Sequence, residues 1–328
     1  MEDEVRPAED VTNVTEDEEN AMDNQGESGA RRLMPLNDVV FSCIFDDVEQ
    51  TGPSMLEFLN ALLASEGEEP IAEIIEMKSQ YSLIPAGATL KLGRLDVRVK
   101  SASGVIYDVE VQLIRDAMNE REYFYGSKIA GSEFKAGMSY EDLPRVVMID
   151  ICDFYIREGS TEIVEPVRLM YAKGRREVAS HAFKVFHVQL PVFRKNHKTL
   201  ASVSGDRLLQ WLYLFDKGYL SEEETEMLAQ SSEGMRRFAD RYGTAIMDPV
   251  LVDRYNAYVE ASHEEASRRI VAERRAEARG EARGEARGEA RGRYEQNRAN
   301  ARGMREKGMS PEDISDITGL SIEEIVAL

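Results

Sequence analysis

The chain has 328 residues, 42% of them hydrophobic, and a net charge of −20. That length suffices for one large or two small domains with a proper core. No run approaches the roughly eighteen apolar residues of a membrane span, and the acidic N-terminus is unlike a signal peptide, so a cytoplasmic location is expected.

Residues 1–30 hold eleven acids and one base, Arg6, with few large apolar side chains. Such a segment cannot bury enough surface to offset its ordering entropy, so a disordered acidic tail is expected. Folded structure should begin near Leu33. In 53–64 (GPSMLEFLNALL) apolar residues recur at helical spacing, and Pro53 suits a first turn. A strand is expected at 71–76. LGRLDVRVK and VIYDVEVQL alternate apolar and polar residues and read as half-buried strands. A helix over 119–136 and a central strand over 145–156 follow. This order, αβββαβ, describes an α/β core with a mixed central sheet. Another strand is expected at 181–193, then a helical extension over 201–270.

EARG occurs four times in succession, from 277 to 292. Glycine every fourth residue weakens a helix by about 1 kcal/mol each relative to alanine. The stretch 271–303 therefore reads as a solvated helix or spacer. In 304–328, Ser310, Pro311 and Gly319 fit the cap, first turn and end of one short helix, and Ser321 with Glu324 forms a capping box for another. The second helix carries acids and no base, which argues against a major-groove reader and for docking or self-association. The domains expected are thus 1–30, 31–200, 201–270, 271–303 and 304–328.

Chemistry concentrates in the hairpin. Pairing apolar with apolar across its strands requires an odd loop, and Ala102-Ser103-Gly104 suits one ending in a left-handed glycine. Val99 then faces Tyr107, Val97 faces Val109, Arg98 faces Asp108, and Asp96 lies opposite Glu110. Two facing carboxylates repel at a Cβ separation of about 5 Å. Either water screens them on an exposed polar face, or a cation sits between them. Over 155–200, nine bases against four acids form a locally basic stretch. There Arg175, Arg176, Arg194 and Lys195 are candidate nucleic-acid contacts, and a solvated surface is the competing reading. The four histidines lack zinc-like spacing, no phosphate-binding GxxxxGK[ST] motif is present, and Cys43 and Cys152 read as reduced core residues.

The arrangement D-x(13)-E-V-Q, the helix REYFYGSKIAGSEFKAGMSY and the apolar strand after it resemble the PD-(D/E)XK nuclease family transposases. These are also described as Rpn-type recombination-promoting nucleases or putative transposases. The resemblance covers roughly residues 33–160 in order, and the C-terminal GLSIEEI pattern is similar as well. It implies a restriction-endonuclease-like core and a Mg²⁺- or Mn²⁺-dependent DNA endonuclease of a recombination setting. It makes Asp96 and Glu110 metal ligands, with the Val111 carbonyl as a further oxygen. Gln112 stands where the wider superfamily has lysine, so it can position water but brings no charge. Arg121 and Tyr125 match the family's helix motif. Lys128, Arg94 or Arg98 could supply positive charge, and Glu57 an extra acid. DNA is the implied partner, with homo-oligomerisation through the C-terminal helices as a possibility. The competing readings are a catalytically weak nucleic-acid- or protein-binding relative and a self-associating scaffold.

Overall fold

The computed structural model describes residues 33–82, 94–113, 115, 118–173, 176–178, 183–217 and 220–328. The expected acidic tail and Arg175 lie outside them. The chain divides into two compact units, one ending at Asn256 and one spanning Ala257–Leu328.

The first unit opens with α1 (Asp38–Ile44) and α2 (Val48–Ser65). Helix α2 begins earlier than the sequence pattern indicated. The Asp47 carboxylate accepts the N–H groups of Glu49 and Gln50, which caps the helix ahead of Pro53. Pro53 falls in the second turn, where it lacks the N–H that would reach the Glu49 carbonyl. The Arg237 guanidinium donates to that carbonyl instead, at 2.9 Å.

Strands β1 (Ile74–Ser82), β2 (Arg94–Ser101) and β3 (Ile106–Gln112) follow. Strand β1 starts later than 71 because the Asn60 amide holds both backbone groups of Ile71. Helix α3 (Met118–Glu133), β4 (Val146–Cys152), β5 (Val164–Val167), a small β6–β7 pair (Met170–Tyr171 and Arg176–Glu177) and β8 (Phe183–Gln189) come next. Strand β8 stops at Gln189, short of the expected 193. Pro191 has no N–H for a ladder but suits a helix start, and α4 (Leu190–Asn196) begins there.

The main sheet has six strands in the order β1-β2-β3-β4-β8-β5. Its centre, β3-β4-β8, is parallel, and the outer pairings are antiparallel, so the sheet is mixed as expected. The hairpin register is the one parity demanded: Val97 pairs with Val109, Arg98 with Asp108 and Val99 with Tyr107. Gly104 closes the loop at φ +83°, a conformation glycine adopts without strain.

The two sheet faces differ. One is mainly apolar: Val97, Val109, Ile149, Val147, Phe186 and Val188 pack on α2, α5 (Arg207–Asp216) and α7 (Glu233–Ala245), and Lys184 on the same face is paired with Glu68 at 2.6 Å. Phe41, Phe45, Phe58, Trp211, Phe215 and Phe238 form a connected aromatic cluster there. Helix α6 (Glu222–Ser231) joins α5 to α7. Helix α3 covers the other face. Its Ile129 packs with Ile106, Val146, Met148 and Val185 in a second, smaller cluster.

Helix α3 lies very close to the sheet. A Cβ on Gly126 would sit 2.1 Å from the Phe183 ring. Arg98 and Lys100 tie its last turn to β2 by ion pairs to Glu133, at 2.5 and 3.0 Å.

Helix α8 (Pro249–Glu306) carries the whole EARG repeat as continuous helix, exposed to solvent throughout. Its turns are linked by i,i+4 pairs such as Arg291–Glu295 at 2.9 Å. In the C-terminal unit the end of α8 packs on α9 (Pro311–Thr318) and α10 (Ile322–Val326) through Ala301, Ile314, Leu320 and Ile325. Ser310 caps α9, Gly319 ends it at φ +70°, and Ser321 and Glu324 form the capping box. No helix among the described residues is long and apolar enough to cross a membrane.

The close approach of α3 is testable. Gly126→Ala should destabilise the first unit by about 1–3 kcal/mol, with the clash outweighing the helix-propensity gain. Urea unfolding measures this, and Phe183→Leu added to the same chain should recover part of the loss. An unchanged midpoint would contradict the packing.

Candidate metal centre

The sheet registers align a row of polar residues on the face beneath α3. Glu110 on β3 pairs with Asp150 on β4, and Asp150 pairs with His187 on β8. Asp96 extends the row onto β2. There the ladder changes character. The Asp96 carboxylate accepts the Val111 N–H at 2.8 Å, and Glu110 accepts the Asp96 N–H at 3.1 Å. The expected carboxylate pair is thus present, and each acid clasps the opposite strand's backbone. Asp108 lies on the same face, beside Arg98 and Met148.

This face is largely shielded from solvent, with Asp96 half-buried at its β2 end. Asp108 is 0% exposed, Glu110 3% and Asp150 1%. The reading in which water cheaply screens the pair is therefore set aside: α3 covers the face. Burial pushes the Asp96 carboxyl up to about 7, and the nearby Asp38 on α1 adds to the rise. Burial likewise raises Asp150 to about 7, reinforced by Glu122. Glu110 and Asp108 are raised by burial and by the neighbouring acids. Arg98 faces Asp108 but is ion-paired to Glu133. Neither Asp108 carboxylate oxygen has a hydrogen-bond partner among the described residues, nor has Asp150 Oδ2. Ionised carboxylates in such surroundings need a cation.

The other expected site residues fall into three groups. Gln112 joins the row: it is buried, its amide donates to Glu110 Oε2 at 3.4 Å, and it hydrogen-bonds Asp150. Arg121 approaches it closely enough to lower the carboxyls of Asp96 and Asp150, and its guanidinium lies 5.8 Å from the Tyr125 ring. The Val111 carbonyl points to the β2 side, because the Gln112 carbonyl accepts from Asp153 on the β4 side and strand carbonyls alternate. Elsewhere, Lys128 is exposed over the Phe124 ring. Glu57 pairs with Arg207 at 3.5 Å, among the helices on the apolar side of the sheet. Arg194 is ion-paired with Asp153 and Asp216, and Lys195 is exposed. Arg176 lies on β7.

A family model described as PD-(D/E)XK nuclease family transposase matches residues 35–269. The chain belongs to that family. No curated protein and no solved structure gives a significant match. Membership implies a nuclease-type fold, and the match runs through the helices that pack on the apolar face. The family's divalent cation has a fitting donor set here. Asp96, Glu110 and the Val111 carbonyl are hard oxygens, of the kind Mg²⁺ and Mn²⁺ accept, and Arg98 and Arg121 only partly offset the charge of the buried acids around them.

The sequence reading missed Asp38, Asp108, Glu122, Asp150 and His187. Asp150 carried a signal: it is a lone acid inside RVVMIDIC, a strand buried at every position. Glu122 reaches the row from α3, where Glu122, Gly126 and Ile129 form the buried stripe.

A pH dependence follows. The folded carboxyls of Asp96 and Asp150 sit near 7 against an ordinary 3.8. Folding therefore disfavours their ionisation, and this penalty grows as pH rises from about 4 to about 7. In EDTA, thermal melts should give a higher Tm at pH about 5.5 than at about 8, and Asp150→Asn should flatten the difference. A wild-type Tm that rises over this range would contradict the burial of ionisable acids.

Proposed function

We propose that the chain is a Mg²⁺- or Mn²⁺-dependent DNA endonuclease that hydrolyses phosphodiester bonds in a transposition or recombination setting. The observation that carries this reading is the Asp96–Glu110 carboxylate pair, half-buried at Asp96 and buried at Glu110, in a member of a nuclease family.

Asp96, Glu110 and the Val111 carbonyl would hold the cation. When bound, such a cation lowers the pKa of water and offsets charge on the phosphate. The carboxylate clasp between β2 and β3 fixes both acids before any ligand arrives, so little reorganisation is needed. Gln112 orients the attacking water through its amide. It supplies no charge, and Arg121 is the cation best placed to face the phosphate.

One observation favours a second reading, a catalytically weak nuclease-fold protein that binds nucleic acid or a protein. Gln112 is neutral, and its amide already donates to Glu110 and hydrogen-bonds Asp150. In either reading, Ile317, Ile322 and Val326, exposed on the C-terminal unit, support self-association there.

Plasmid nicking in Mg²⁺ or Mn²⁺ separates these. Wild type should nick, and Asp96→Asn and Glu110→Gln should each reduce the rate by about a hundredfold or more. Equal nicking by all three would sink the assignment. No nicking by wild type, with DNA affinity intact, would favour the binding reading.

A further inference from the structure

A second set of ligating groups lies beside Asp96 and Glu110. Glu122 on α3, Asp150 on β4 and His187 on β8 each offer one ligand atom, and these atoms lie within 4.8 Å of one another. All three residues are buried, with exposures of 6%, 1% and 2%. His187 Nε2 lies 2.7 Å from Glu122 Oε1.

A purely structural ion pair would leave nothing further to satisfy. Here Asp150 Oδ2 has no hydrogen-bond partner among the described residues, and neither has His187 Nδ1. An unmatched carboxylate oxygen in a dry interior costs about 1–3 kcal/mol or more. The fold nevertheless assembles the three from separate elements. Parallel register sets Asp150 beside His187, and the glycine contact on Phe183 lets α3 bring Glu122 down onto them.

The donor set differs from that of Asp96 and Glu110. Those residues offer only oxygen, the preference of Mg²⁺. An imidazole nitrogen with two carboxylates suits first-row transition ions such as Mn²⁺, Co²⁺ or Zn²⁺. Three protein ligands also leave a coordination position open, as metal sites that meet a substrate do.

We propose that Glu122, Asp150 and His187 form a second divalent-cation site, selective for a transition-metal ion over Mg²⁺ and separate from the Asp96–Glu110 pair. It shares no ligand with the Asp96–Glu110 pair, although Asp150 lies next to Glu110 on the sheet. It survives if the endonuclease reading fails, and that reading survives if this site fails.

The test uses the full chain, stripped with chelator and titrated with Co²⁺ in excess Mg²⁺. Wild type should retain one equivalent of Co²⁺ by elemental analysis after dialysis, with a visible d–d spectrum. Glu122→Gln and His187→Gln should weaken that binding by about tenfold or more, whereas Asp96→Asn should keep it. Pulsed EPR of Mn²⁺ bound to wild type should show imidazole nitrogen coupling, a readout that needs no variant to fold. Absence of Co²⁺ binding in excess Mg²⁺, absence of nitrogen coupling, or unchanged affinity in folded His187→Gln would each overturn the proposal. Loss of the Co²⁺ equivalent in Asp96→Asn would overturn the separateness of the two sites.

Discussion

Burying several carboxylates side by side is the constraint around which this sheet is organised. Asp96, Glu110 and Asp150 come from adjacent strands, and Asp108 lies one pleat repeat away on the same face. Each is forced away from its ordinary ionisation by burial before its neighbours contribute. A fold under selection only for stability would place apolar residues there, as it does on the other face, where the aligned positions are Val97, Val109, Ile149 and Phe186. The apolar face and its aromatic cluster supply the stability against which the polar face can carry its unfavourable charge.

That division of labour explains other features. Helix α3 is weakly apolar and buries little of its own surface. It is held by a close glycine contact on Phe183 and by the Glu133 ion pairs at its end. Those anchors lie away from the acid row, so its first two turns are free to present Arg121 and Glu122 to it. The carboxylate clasp at Asp96 and Glu110 serves the same end, because it replaces ladder bonds between β2 and β3 with bonds that also aim the acids. Arg98, which parity placed opposite Asp108, is shared: it ion-pairs with Glu133 and its charge only partly offsets the rise at Asp108.

How much of this was legible in the sequence follows contact range. Strand parity and a three-residue loop ending in glycine are local, and they gave the hairpin register, including Val97 with Val109 and Arg98 with Asp108. The helix caps in 310–328 were legible for the same reason. The αβββαβ order and the mixed sheet also followed from pattern. What stayed hidden was non-local. Nothing in RVVMIDIC or FKVFHVQ states that Asp150 will lie beside Glu110 on one side and His187 on the other, since parallel register is set by packing across long connections. Burial of the polar face was also missed, because alternation alone reads as half-exposed until a helix covers both sides. The basic stretch shows the converse. Residues rich in charge along the chain proved partly neutralised in space, with Arg157 on Glu165, Lys184 on Glu68 and Arg194 on Asp153 and Asp216.

On the proposed function, the acid row holds a cation between Asp96 and Glu110. Crystals grown with Mn²⁺ and measured at the manganese absorption edge test it most directly. An anomalous peak in contact with both carboxylates and the Val111 carbonyl is the expected result. Fully ordered acids in saturating Mn²⁺ with no peak at that position would contradict it.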